Sequence, residues 1–159
     1  MKNSAKSNMY ESSLENTWAL FGDCLQGYRD AIIVVISSKQ LQDQAKKALE
    51  NSFARLGYQP PACTFVSLEG FGDLSLPALN EKDLFSLVEG LDPLFLVITD
   101  KDAAQRFAFA YRRDVPLDKR SRVFGREVRA FASFETMLED FSSKQIAWAL
   151  LKSLPKLVG

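Results

Sequence analysis

The sequence predicts a single α/β domain of three layers, with helices on both faces of a mainly parallel four-stranded sheet in the order 2-1-3-4. Three observations predict it. Apolar runs such as "AIIVVI" (31 to 36) and "LFLVIT" (94 to 99) are continuous rather than alternating, as expected of strands covered on both faces. Helical apolar patterns alternate with these runs along the chain, which implies parallel strands joined by right-handed crossovers. Finally, 159 residues of which 47% are hydrophobic make one ordinary core and not two.

Taken in order, residues 1–8 are expected to form a disordered tail and residues 9–159 the domain. Leu14, Trp18, Phe21, Leu25 and Tyr28 recur at three- and four-residue spacing and predict a first helix closed by Gly27. The run from Ala31 to Ile36 is the first strand. Ser38 is placed to cap the second helix, whose stripe is Leu41, Ala45, Ala48, Leu49, Phe53 and Leu56, with Gly57 as its left-handed stop. "ACTFVSL" (62 to 68) is less uniformly apolar and predicts a second strand nearer an edge. The Gly/Pro-containing "EGFGDLSLPAL" (69 to 79) is a loop. Asn80 with Asp83 begins a short helix ending at Gly90.

Pro93 opens the third strand, and a fourth helix covers roughly residues 101 to 113. "RVFGREVRAF" (122 to 131) reads either as one strand, the preferred reading, or as a hairpin folded at Gly125-Arg126 through a type II′ turn. Ser133 and Ser142 are both cap signals, so the last helix is expected to break near 142. Its second half carries a stripe of Ile146, Trp148, Ala149, Leu150, Leu151 and Leu154 that is expected to face the core.

The 20 basic residues balance 20 acidic ones, so the global charge gives no pull toward nucleic acid or membrane. Cys24 and Cys63 make neither a disulfide framework nor a metal-ligand pair. The amino-terminal "MKNSAKSNMYESS" lacks the apolar core of a signal peptide, and no apolar run is long enough to span a bilayer. A cytoplasmic protein away from membranes is the expectation. The chain also contains no histidine, which excludes Ser-His-Asp and Cys-His nucleophiles and His-based zinc sites built by this chain alone. No motif implies a cofactor or a metal.

Two candidate sites follow. With the strand order 2-1-3-4, the carboxyl ends of the first and third strands bring Ser37 and Ser38 beside Thr99 and Asp100, where doubly wound sheets place ligands. The competing reading is that Ser38 and Asp100 or Asp102 simply cap helices. The second site is electrostatic. Residues 63–100 hold seven acids against Lys82, a net charge of −6, and residues 101–130 hold nine bases against four acids, a net of +5. On the fourth helix, Ala103, Phe107, Ala110 and Tyr111 share the core face and leave Phe109 pointing outward beside Arg106, Arg112 and Arg113. With Arg122 and Arg126 nearby in sequence, these residues form a candidate interaction patch for a protein partner or, in a further alternative, nucleic acid. The competing reading is that Phe109 packs beneath a neighbour and the arginines are solvated or ion-paired. "GFGDLS" (70 to 75) lacks the Lys-Ser/Thr pair of a phosphate-binding loop and is read as a loop without ligand.

The segments "AIIVVISS" and "GREVRAFASFETMLEDFSSKQIAWALLKSL" resemble the psi subunit of the bacterial polymerase clamp-loader assembly, in which a related strand leads into a helix with a tryptophan near the chain end. More broadly, the layout looks like the three-layer architecture of uracil-DNA glycosylases. The first resemblance implies a non-catalytic adaptor. Glycosylases of this architecture use a histidine-containing loop after a late strand, and the matching loop here, Ala130 to Phe134, has no histidine and no acid before Glu135. The missing histidine and the segregated charge make the expected function a non-enzymatic protein-interaction module in a DNA-handling assembly, with a ligand-binding or enzymatic domain for a nucleotide or phosphorylated metabolite at Ser37, Ser38, Thr99 and Asp100 as the alternative.

Overall fold

A computed structural model describes residues 4–72 and 78–156, with side chains described from Ser12 onward. Residues 73–75 of "GFGDLS" lie outside the described residues, as do 1–3 of the expected tail. The helical backbone begins within that tail: α1 runs Ser4–Phe21. It stops earlier than the apolar spacing suggests. A 3₁₀ turn at Gly22–Cys24 leads into β1, Leu25–Gly27, so Leu25 belongs to a strand and Tyr28 follows it.

The remaining elements are β2 (Ile33–Ser37), α2 (Asp43–Arg55), β3 (Cys63–Ser67), α3 (Glu81–Leu91), β4 (Phe95–Ile98), α4 (Lys101–Tyr111), β5 (Arg120–Val123), β6 (Arg126–Ala130), α5 (Phe134–Met137) and α6 (Phe141–Lys152). The sheet has six strands, not four, in the order β1-β3-β2-β4-β6-β5. Its four inner strands β3-β2-β4-β6 are parallel, and the outer pairs β1/β3 and β5/β6 are antiparallel. β1 covers the outer edge of β3 and helices cover both its faces, so every residue of β3 is buried. A three-residue strand beside a helix end has too little apolar pattern to be read from sequence.

Both faces of the sheet are covered. Val34 and Ile36 of β2 pack with α1, α3 and α4, including Leu14, Leu87, Val88 and Phe107. Ile33 and Val35 point the other way, toward Leu49 and Phe53 of α2, Phe134 of α5 and Leu151 of α6. A strand with two buried faces has no reason to alternate, and this accounts for the continuous apolar runs.

The segment 122–131 is a hairpin, not one strand. Val123 pairs with Arg126, leaving Phe124 and Gly125 as the turn, with φ of 49° and 82°. Two positive values define type I′ rather than II′, so the turn sits one residue earlier than the glycine alone suggests. Helix ends shift as well. α3 continues through Gly90 to Leu91 and stops at left-handed Asp92. Gly90 instead permits close helix packing, because a Cβ there would fall 2.0 Å from Thr17 Oγ1. The break before α6 is made by Asp140, which accepts from Ser143 N–H at 3.0 Å, so Ser142 is not the cap. Ile146 faces outward, 58% exposed, while Ala147, Leu151 and Leu154 supply the buried stripe.

Candidate functional site

The two sequence-derived sites lie at opposite ends of the parallel strands. At the carboxyl ends, the structure brings Ser37, Ser38, Thr99 and Asp100 together as expected. Neighbouring parallel strands β2 and β4 place their last residues side by side. Thr99 donates its hydroxyl to Ser37 Oγ at 2.7 Å, and both side chains are buried. Asp100 divides its carboxylate: Oδ1 accepts from Ala103 N–H at 2.8 Å and caps α4, and Oδ2 accepts from Ser38 N–H at 2.9 Å. Ser38 is therefore not a cap. α2 starts later, after Gln42, whose side chain makes no capping bond and whose N–H donates to Glu135 Oε2 at 2.8 Å. Phe134 N–H donates to Thr99 O at 2.8 Å, and Asp100 forms an isolated bridge with Ser133. The polar groups at this end thus satisfy one another. A buried donor without a partner would cost about 1–3 kcal/mol, and the described residues contain none at a side-chain atom.

At the other end, the basic patch divides. Arg126 is not part of an open surface. Its side chain is 13% exposed, its two terminal nitrogens meet Glu89 Oε2 at 2.6 Å and Asp92 Oδ1 at 2.8 Å, and Nε donates to Pro93 O at 2.8 Å. Tyr111 also donates to Glu89 Oε2, at 2.6 Å. Burial, reinforced by that bond, raises the Tyr111 hydroxyl well above its ordinary value and keeps it protonated. Arg122 pairs with Glu127 at 3.0 Å and Arg106 with Asp102 at 3.4 Å. The acidic stretch found in the sequence is thus partly consumed by the basic one, across contacts 34 and 37 residues apart in the chain.

What remains exposed is narrower. Phe109 points outward as the helix spacing requires and is 72% exposed. Arg112 follows it at the left-handed end of α4, with φ of 52°, and has no carboxylate partner among the described residues. Arg113 donates to the carbonyl of Arg112 at 3.2 Å and holds its guanidinium 5.4 Å from the centre of the Phe124 ring. Gln105, Ala108, Phe109, Arg112, Arg113 and Asp114 line a shallow depression here. Phe124, 54% exposed, extends the surface and meets buried Tyr111 edge to face at 5.3 Å. Sequence reasoning missed Phe124, because a single strand or a turn at Gly125-Arg126 leaves Phe124 within a strand; the aromatic before a glycine at a hairpin tip is the signal that could have found it.

Arg129 was also missed. It was counted among the bases, yet its side chain is fully buried, donating to Glu127 Oε1 at 2.8 Å, Ser153 Oγ at 2.8 Å and Ser153 O at 3.1 Å. Glu127 thus lies between Arg122 outside and Arg129 inside. Cys24 and Cys63 are buried thiols. Burial pushes Cys63 up to about 12, with Glu50 adding to the effect, which is the environment of an inert rather than a nucleophilic cysteine. No cluster of metal-ligating side chains occurs among the described residues. No helix among them is long and apolar enough to cross a membrane. A cavity of about 330 Å³ lies between α2 and α6, lined by Ala48, Arg55, Leu138, Lys144 and Trp148 among others, with Arg55 standing 5.3 Å over the Trp148 ring. Neither protein-family models nor curated proteins match this sequence.

Proposed function

We propose that this chain is a non-enzymatic interaction module that docks a protein through the surface around Phe109, Arg112 and Arg113. The observation that carries the reading is the exposure of Phe109 beside two guanidinium groups that no carboxylate of the described chain neutralises. Aromatic and arginine side chains are the residue types that dominate binding energy at protein interfaces. The opposite end of the sheet supports the same conclusion, because Ser37, Ser38, Thr99 and Asp100 are held by one another and by the start of α4. The absence of histidine from the sequence and the raised Cys63 thiol are consistent with a role that involves no turnover.

The likeness of "AIIVVISS" and "GREVRAFASFETMLEDFSSKQIAWALLKSL" to the psi subunit supports an adaptor in a cytoplasmic, DNA-handling assembly. The three-layer uracil-DNA glycosylase-like arrangement belongs to the same reading. The test is affinity purification from nuclease-treated native lysate with the wild-type chain and with a Phe109→Ala/Arg112→Ala variant in parallel. A stoichiometric protein retained by the first and lost by the second is the expected result. A retained nucleotide or sugar phosphate, released by Asp100→Ala and indifferent to the Phe109 variant, would overturn it.

A further inference from the structure

Non-glycine residues with positive φ show where the backbone is held against its own preference. Among the described residues these are Asp92, Arg112, Asp118 and Phe124. Aspartate tolerates this region because its short side chain can bond locally. Arginine and phenylalanine have no such compensation, and a bulky residue there is an outlier. Both outliers fall on the same surface. Arg112 ends α4 at φ of 52°, where glycine is the usual occupant. Phe124 occupies the first position of the type I′ turn at φ of 49°, where asparagine, aspartate or glycine is usual. Arg113 joins them, lining the depression with Phe109 and standing over the Phe124 ring. Strained positions of this kind persist at ligand clamps, where the side chain presented compensates for the conformation.

We infer that Phe124, held out by the strained hairpin tip, and Phe109 flank Arg112 and Arg113 as a clamp for an acidic segment of a partner protein, one carrying an apolar side chain between its carboxylates. The inference rests on the interaction-module reading and adds the second anchor and the partner's chemistry. Charge complementarity supplies the argument. Arg106, Arg122 and Arg126 are each paired within the chain, whereas Arg112 and Arg113 have no carboxylate partner among the described residues. Arginine's planar fork suits carboxylates, and the two phenyl rings suit an aliphatic or aromatic side chain. A nucleic-acid backbone fits less well, because its continuous run of phosphates calls for a longer basic track than these two guanidinium groups, which Asp114 bounds within the same depression.

The test is display of random peptides of about twelve residues on the whole chain, followed by titration of the best synthetic peptide into wild type and variants. Enriched peptides are expected to carry Asp or Glu within three residues of a Leu, Ile, Phe or Trp. Arg112→Ala/Arg113→Ala is expected to weaken binding at least about tenfold. Phe124→Asn relieves the turn, so it is expected to leave the unfolding midpoint close to that of the wild type while binding weakens about fivefold or more. A drop in midpoint with binding intact would make Phe124 structural and overturn the clamp. Peptides that depend on Phe109 but carry no acid would leave the module standing and overturn the acidic partner. No Phe109-dependent peptide at all would remove the module and the inference together. Tighter binding of a single-stranded oligonucleotide than of any peptide, lost in the arginine variant, would overturn both in favour of nucleic acid.

Discussion

The two ends of the parallel sheet differ in how their polar groups are spent. At the carboxyl ends, one carboxylate caps α4 and ties the β2 exit to it, two hydroxyls bond each other, and Glu135 closes the start of α2. At the amino ends, Glu89 and Asp92 take up Arg126, while the neighbouring Arg112 and Arg113 keep their charge available beside exposed rings. A cluster of serine, threonine and aspartate at a strand end can therefore be wholly structural even where the topology favours a ligand. Charge left uncompensated beside apolar surface distinguishes the other end.

Asp100→Ala has the largest expected effect on this contrast. It removes the α4 cap and leaves Ser38 N–H without its acceptor, and should destabilise the fold by about 2–4 kcal/mol; denaturant unfolding measures it. A neutral result would mean that the strand-end carboxylate is free for another purpose. Alkaline titration comes next. Cys63 and Tyr111 both hold their protons more tightly folded than unfolded, so the stability they contribute is fully present below their ordinary values of 9.0 and 10.0. It is lost as pH rises from about 9, through the Cys63 value of about 12, at up to about 1.4 kcal/mol per pH unit for each group. Unfolding midpoints at increasing pH should fall along that slope, and less steeply in Cys63→Ala. Phe124→Asn should leave stability within about 1 kcal/mol of the wild type, since relief of the left-handed turn offsets the lost edge-to-face contact with Tyr111. Phe109→Ala should change stability by no more than about 0.5 kcal/mol, the smallest effect, and a larger loss would place Phe109 in the core rather than on a docking surface.

The centre of the sheet was legible because β2 and β4 are buried on both faces and so carry continuous apolar runs, Ile33 to Ile36 and Phe95 to Ile98. β1 was not, since Leu25–Gly27 offers a single buried residue. The strand-end cluster could be assembled from topology, but the division of Asp100 between two N–H donors depends on where α2 begins, and Ser38 looked the better cap by composition alone. Charge was legible only as a sum. Which of Arg106, Arg112, Arg113, Arg122 and Arg126 stays uncompensated is decided by long-range contacts, and the aromatic that completes the surface is decided by whether the hairpin turns at Phe124-Gly125 or one residue later.

Buried Arg129 has a practical bearing on all of these measurements. Two of its bonds end on Ser153, and Tyr58 donates its hydroxyl to Pro155 O, so β6 and the connection between α2 and β3 grip the chain just past the last turn of α6. A shortened chain ending at Lys152 would remove the Ser153 acceptors and leave the buried guanidinium only Glu127 and the carbonyls of Ser121 and Val128, at a cost of about 1–3 kcal/mol. A fluorophore or affinity handle attached for the binding titrations belongs beyond Pro155.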